Sequence, residues 1–174
     1  IQQQEPLVKG KYIFCYFLGN NPPHREFAKR LKEATGCKIV ALVHLDEFIK
    51  SDEEYADETP YDIDPADFLN LIHNARYVCT DSFHCSIFSI LYKRQFFVFR
   101  RYTRNTKHST NSRLDTLFNM AGITDRLLMG DEDIDSYLNA DIDFDAVLKK
   151  IAMIRETSYN YLKAALYNEV STDL

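Results

Sequence analysis

The residues of this chain that best suit proton transfer and anion binding lie together in one short turn, Asp81-Ser82-Phe83-His84. The turn follows an apolar segment typical of a buried strand, and His84 lies in the first turn of the helix predicted after it. In open α/β sheets, ligands bind at the edge where strands end and helices begin. The free N–H groups of the first helical turn and the helix dipole favour an anion there. We therefore predict a site for a small anionic ligand, with His84 as the group that transfers a proton.

Helix capping is the alternative explanation for the first two residues of this turn. An N-cap requires only a short polar side chain, so capping accounts fully for Asp81 and Ser82. It does not account for His84, a titratable residue among apolar neighbours. For His84 the alternative is a structural histidine whose hydrogen bonds are satisfied within the fold.

Two further loops are expected at the same edge of the sheet. Gly19, Asn20 and Asn21 follow the first apolar strand, and Gly and Asn can take positive φ values that let the backbone approach a ligand. They do not form a dinucleotide-binding glycine motif, and an ordinary strand–helix turn is the alternative. His44 and Asp46 follow the next strand, where they face the same cleft or belong to an ordinary surface loop.

A basic loop is the last candidate for ligand binding. Its basic side chains fall within nine residues: Arg100, Arg101, Arg104, Lys107 and His108. Arg113 lies on the helix predicted after the loop. Arginine side chains can hold a phosphate or carboxylate through two parallel hydrogen bonds, although a solvated basic segment is the alternative. We expect the loop to be mobile without a ligand and to close on an anionic one, because its like charges repel one another without a counter-anion.

Apolar strands alternate with amphipathic helices along the chain. Strands are predicted at residues 12–18, 38–43, 77–80 and 96–99, with a short fifth one at 126–129. Helices are predicted at residues 24–35, 64–74, 83–93, 112–121 and 143–168. This alternation predicts an α/β fold of the Rossmann-like type, with a parallel sheet of about five strands and helices on both faces. Residues 1–9 are predicted to form a tether, and residues 10–174 a single domain.

Composition argues against several classes of partner. The chain has 174 residues, of which 45% are hydrophobic, and a formal net charge of -5. That charge argues against nucleic acid or an anionic membrane as the main partner, and no apolar run is long enough to span a membrane. Acidic clusters at residues 51–67 and 130–145 lack an ordered spacing of metal ligands, so we interpret them as solvated loops and predict no metal site. The four cysteines form no CxxC pair and no signal peptide precedes them, so we expect reduced thiols and a cytoplasmic protein.

Several stretches of the sequence resemble the polysaccharide pyruvyl transferase family. They are TDSFHCSIFSILYKRQFFVF followed by NSRLDTLFNMAGI, together with FCYFLGNNPPHREFAKRL and DPADFLNLIHNARYVCTDSFH. The resemblance covers roughly residues 12–128. It implies a fold similar to one lobe of the two-lobed GT-B glycosyltransferases, with this chain as the C-terminal, donor-binding lobe of a longer protein. The N-terminal lobe would then be its partner, and the helix at residues 143–168 would return toward that lobe.

The resemblance also implies an activity. Family members transfer the enolpyruvyl carbons of phosphoenolpyruvate onto sugar hydroxyls, which forms a cyclic ketal and releases phosphate in the biosynthesis of exopolysaccharides. His84 matches the family histidine that contacts the donor and is proposed as the general acid. Some relatives have Arg-Leu-His where this chain has Ser82-Phe83-His84, so Arg113 or an arginine of the basic loop would supply the missing charge. No cofactor is implied beyond the donor substrate, and we expect the lobe alone to be inactive.

Two alternative functions remain open from the sequence. The first is a GT-B glycosyltransferase lobe that binds a nucleotide sugar, for which Asp46 or Glu47 would be the ribose-binding carboxylate. The second is a binding or assembly module that has kept the fold and lost the chemistry, in line with the serine at position 82.

Overall fold

A five-stranded, all-parallel sheet forms the centre of the molecule in the computed structural model, which describes residues 5–44, 48–101 and 111–167. The strands are β1 (Tyr12–Tyr16), β2 (Lys38–Leu42), β3 (Tyr77–Thr80), β4 (Gln95–Phe99) and β5 (Leu127–Leu128). The helices are α1 (Pro22–Thr35), α2 (Pro65–Asn74), α3 (Phe83–Leu91), α4 (Asn111–Ala121), α5 (Asp135–Leu138) and α6 (Phe144–Leu166). The strand order is β2-β1-β3-β4-β5, and each pair of neighbours is parallel. The predicted fold class is therefore confirmed.

The sheet is buried on both faces, which explains why its strands are continuously apolar. In β1, Tyr12 and Phe14 face one layer of helices while Ile13 and Cys15 face the other, and all four are buried. A parallel strand covered on both faces needs apolar side chains at every position. The strand prediction succeeded because it rested on these uninterrupted runs.

Helices cover the two faces unequally. The face that carries Phe14 is covered by side chains of α2, α3, α4 and α6. The opposite face is covered mainly by α1, through Phe27, Ala28 and Leu31, and by the segment around α5. Among the described residues, each face of the sheet is thus covered by a packed cluster of buried side chains. The loops at the carboxyl edge of the sheet are therefore anchored to a well-packed core.

The first and last described segments differ from each other in how far they are buried. In residues 5–9, the described part of the predicted tether, the Val8 side chain is buried and the Leu7 N–H donates to the Asn70 side chain at 3.2 Å. In α6, burial is confined to the start of the helix, at Phe144 and Val147. A 23-residue helix is about 34 Å long, whereas a five-residue strand spans only about 17 Å, so the helix extends past the layer it covers.

Beyond that layer, α6 exposes large apolar side chains. They are Met153, Tyr159, Tyr161, Leu162 and Leu166, each more than half exposed. None of the helices in the described part of the chain combines the length and apolar character that crossing a membrane requires.

Candidate functional site

The strand order creates a crevice between β1 and β3. Because β2 lies on one side of β1 and β3 on the other, the chain reverses its direction of winding at this point. Ligands of doubly wound sheets bind in this crevice, at the carboxyl ends of the strands. The loops that the sequence singled out, after β1, β2, β3 and β4, all leave from this edge, since every strand is parallel.

Asp81 joins the two sides of the crevice. Its carboxylate accepts the backbone N–H of Leu18 at 2.7 Å and of Gly19 at 2.9 Å, and the Arg101 Nε donates to it at 3.3 Å. The Asp81 side chain is completely buried. A carboxylate engaged in this way is occupied by the protein itself, so in this structure Asp81 positions the loop after β1 and holds Arg101.

The backbone of the loop after β1 passes very close to this carboxylate. A Cβ at Gly19 would lie 2.9 Å from Asp81 Oδ2 and 2.8 Å from Arg101 Cγ, so only glycine fits here. The Asn21 side chain donates to the Arg101 carbonyl at 3.1 Å, while Asn20 is exposed at the tip of the loop. Glycine is thus required at position 19 by the close packing and not by a positive φ.

Ser82 caps α3. Its Oγ accepts the Cys85 N–H at 3.5 Å, and its own N–H donates to Thr80 Oγ1 at 3.0 Å. The residue is buried, so capping accounts for its hydroxyl. Position 82 therefore carries a helix cap.

Of the next two residues of the turn, Phe83 is half-buried against α4 and His84 is exposed. The His84 ring contacts that of Phe83 edge-on at 5.7 Å. The Arg113 guanidinium of α4 lies over the Phe83 ring at 5.4 Å. A groove of about 340 Å³ runs beside this pair, lined by Phe83, Ser112, Arg113, Thr116, Leu117 and Met120. The fold thus brings Phe83 and Arg113 into contact beside the N-terminus of α3, with His84 next to Phe83 in the turn, although the sequence separates Arg113 from the turn.

His44 is held by a buried ion pair. Its Nδ1 lies 2.8 Å from Asp52 Oδ2, and Asp52 Oδ1 accepts the Nε and Nη2 groups of Arg25 at 2.9 and 2.6 Å. Burial raises the pKa of the Asp52 carboxyl, but the hydrogen bonds from His44 and Arg25 outweigh this effect and lower the pKa overall. Arg25 also donates to the Gly19 carbonyl at 2.7 Å, which links His44 to the loop after β1.

Sequence reasoning missed both Arg25 and Asp52. Interpreting the acidic segment at residues 51–67 as a solvated loop was wrong for Asp52, whose side chain is only 10% exposed because Arg25 and His44 bind it. A signal did exist for Arg25, since helical spacing places it on the apolar face of α1 with Ala28. Asp46 and Glu47 lie outside the described residues.

Only the start of the basic loop belongs to the described part of the chain. Arg100 pairs with Asp115 of α4 at 2.6 Å, and Arg101 pairs with Asp81. Arg104, Lys107 and His108 lie outside the described residues, so closure of the loop on a ligand stays a prediction. Within residues 5–44, 48–101 and 111–167, no group of three or more histidine, cysteine or acidic side chains could hold a metal ion.

Comparison of the sequence with models of known families identifies the family of this chain. The family model described as polysaccharide pyruvyl transferase matches residues 2–101. The match includes the loop after β1, His44 and the turn that carries His84, and it ends before α4. Neither the curated proteins nor the solved structures compared with the chain include a match. Since the family model covers more than half of the 174 residues, the chain belongs to the polysaccharide pyruvyl transferase family.

Proposed function

We propose that this chain is the donor-binding lobe of a cytoplasmic enzyme that transfers a pyruvyl ketal from phosphoenolpyruvate to hydroxyls of a polysaccharide precursor. The observation that carries the proposal is the convergence of an exposed histidine and two arginines from different elements on the N-terminus of α3. A GT-B-like arrangement would place a second lobe across the carboxyl edge of this sheet and provide the saccharide site. We expect this lobe to be inactive without the other.

Phosphoenolpyruvate carries a phosphate and a carboxylate, and the crevice offers groups suited to both. The N-terminus of α3 presents free N–H groups and the positive end of the helix dipole. Arg113 lies exposed beside it, and the Arg101 side chain is still 21% exposed while bound to Asp81. These two arginines would supply the charge that Ser82 does not provide.

His84 would protonate the methylene carbon of the donor. Adding a proton there leaves positive charge at the neighbouring carbon, which a sugar hydroxyl can then attack. The Arg101 and Arg113 guanidinium groups would offset the negative charge of the phosphate and carboxylate as the bond to phosphate breaks. The exposure of His84 gives a substrate access to its imidazole.

Ligand-dependent thermal unfolding of the complete protein tests the donor. Phosphoenolpyruvate at a hundredfold excess over its dissociation constant should add about 2.7 kcal/mol to the free energy of unfolding. Inorganic phosphate and UDP-glucose serve as comparisons, and Arg113→Gln should weaken the effect of phosphoenolpyruvate at least tenfold in concentration. Stabilisation by UDP-glucose alone would instead support a glycosyltransferase lobe, and stabilisation by none of the three would support a non-catalytic module.

A matched pair of histidine variants tests the chemistry. His84→Gln keeps a hydrogen-bond donor but cannot transfer a proton, so phosphate release in the presence of acceptor sugars should fall about 10²–10⁴-fold. His73→Gln is the control, because His73 lies in the last turn of α2, before β3 begins and therefore at the opposite edge of the sheet. Equal turnover by the two variants would remove His84 as the acid.

A further inference from the structure

The chain of side chains Arg25–Asp52–His44 ends in an imidazole at the same edge of the sheet as His84. Arg25 is the buried end of this network, with its side chain 2% exposed, and His44 is its more accessible end, at 13%. Asp52 lies between them in the short 3₁₀ helix Lys50–Asp52 and receives hydrogen bonds on both carboxylate oxygens. Such a network holds the His44 ring in one orientation.

The network also determines which nitrogen of His44 carries a proton. An ionised carboxylate can only accept hydrogen bonds, so the hydrogen between His44 and Asp52 resides on Nδ1. In a neutral imidazole the other nitrogen, Nε2, then has a free lone pair. Arg25 already balances the charge of Asp52, so a neutral His44 leaves no uncompensated charge in the interior.

His44 and His84 lie on opposite sides of β1, the strand that borders the crevice. His44 follows β2 and His84 follows β3, and β1 lies between these strands. Neighbouring strands are about 4.8 Å apart, so β2 and β3 are roughly 10 Å apart. A spacing of this size between the ends of the two strands leaves room for a donor and an attacking hydroxyl. The Gly19 loop lies between the two histidines and is bound to Arg25 on one side and to Asp81 on the other.

We propose that His44 is the general base of the site, and that its Nε2 accepts the proton of the attacking sugar hydroxyl. The inference rests on the proposed pyruvyl transfer. In the first addition, the hydroxyl O–H bond breaks and its proton moves to Nε2, the oxygen bonds to the central carbon of the enolpyruvyl group, and the methylene carbon takes a proton from His84. In the second, a neighbouring hydroxyl bonds to the same carbon, phosphate leaves with the bridging oxygen and the bonding electron pair, and the second hydroxyl proton goes to that phosphate.

Asp52 is a positioning residue in this scheme, because it acts on the substrate only through His44. The same carboxylate–histidine arrangement orients the base in hydrolases, where the carboxylate holds the imidazole in the productive tautomer. Arg25 would keep that carboxylate ionised and fixed.

Two measurements on the complete protein test the inference, one of which does not depend on turnover. The first is ¹⁵N NMR of the histidine side chains, with the His44 signals assigned from their loss in His44→Gln. We expect His44 to be protonated on Nδ1 and bare on Nε2 at pH 7.5, and Asp52→Asn to abolish that preference. Protonation of Nε2 in the unmodified protein would overturn the inference.

The second measurement is turnover of phosphoenolpyruvate with the methyl glycosides of glucose, galactose and mannose, whose 4- and 6-hydroxyls can close a cyclic ketal. His44→Gln should lower the rate about 10²–10⁴-fold while its thermal stabilisation by phosphoenolpyruvate stays within twofold in concentration. A rate equal to that of His73→Gln would overturn the inference. If the unmodified protein neither binds phosphoenolpyruvate nor releases phosphate, the proposed function fails, whereas the NMR measurement still decides the state of His44.

Discussion

Asp81 and Arg25 bind the same glycine from opposite sides. The Asp81 carboxylate accepts the Gly19 N–H at 2.9 Å, and the Arg25 guanidinium donates to the Gly19 carbonyl at 2.7 Å. Each of these buried side chains has a counter-charge of its own, Arg101 for Asp81 and Asp52 for Arg25. The loop after β1 is therefore fixed by two charge pairs, one on each side of the crevice.

Replacing Gly19 by alanine should disrupt this arrangement. The added Cβ would lie less than 3 Å from both Asp81 and Arg101, so the backbone must move away from them. We expect a loss of about 2 kcal/mol in the free energy of unfolding, measured by urea denaturation, together with weaker binding of phosphoenolpyruvate. Asn20→Ala is the control, because the Asn20 side chain is exposed. A Gly19→Ala protein as stable as Asn20→Ala would contradict the packing argument.

Asp81→Asn should be far more costly than the same change at Asp115. An amide at position 81 presents an N–H group to one of two backbone N–H groups and leaves Arg101 without its counter-charge. We expect a loss of about 3 kcal/mol in the free energy of unfolding. Asp115 also pairs with an arginine, Arg100, but is 39% exposed, so Asp115→Asn should cost less than about 1 kcal/mol. Similar losses in the two variants would show that burial does not set the strength of these pairs.

His24 should make the protein less stable in mild acid. Burial lowers the pKa of His24 to about 4, and its ring stacks on that of Phe99 at 4.8 Å. An unfolded histidine has a pKa near 6.5, so between pH 6.5 and pH 4 the unfolded chain binds a proton that the folded protein does not. The free energy of unfolding should therefore fall by about 3 kcal/mol as the pH drops through this window. The pKa values of the Asp52 and Asp57 carboxyls are also lowered, but these two groups affect the free energy of unfolding mainly below this pH window.

A variant isolates this histidine from other titrating groups. His24→Phe keeps an aromatic ring against Phe99 but cannot be protonated, so its free energy of unfolding should change less between pH 7 and pH 4.5. Urea denaturation at several pH values measures the difference. An unchanged pH dependence in His24→Phe would assign the effect to another group.

The two halves of α6 should differ in their contribution to stability. Phe144 is 8% exposed and packs near Phe96, so Phe144→Ala should cost about 3 kcal/mol in the free energy of unfolding. Leu162 is 54% exposed, and Leu162→Ala should change it by less than about 0.5 kcal/mol. Urea denaturation of this chain at several protein concentrations checks both values. A large, concentration-dependent loss in Leu162→Ala would show that a second copy covers the distal half of the helix.

Most of the fold could be predicted from local sequence patterns. The segments that form β1 and β2 are apolar at successive positions because both faces of the sheet are covered. An uninterrupted apolar segment of this kind therefore indicates a strand that is buried on both faces. The start of α2 could also be predicted from the sequence, since Asp64 caps the helix and Pro65 occupies its first turn. The turn before α3 could be predicted because the polar residues Asp81 and Ser82 interrupt two apolar segments, a strand and a helix.

The roles of the side chains at the carboxyl edge were decided by the tertiary structure. The sequence placed Asp81 and His84 in one turn, but only the winding of the chain around β1 directs Asp81 inward to Gly19 while His84 stays exposed. Arg25 and Asp52 are 27 residues apart, and no local pattern links them. Hydrophobic periodicity reports whether a residue is buried, whereas the partner of a buried charge depends on which distant segment packs against it, and that is determined only when the whole chain is folded.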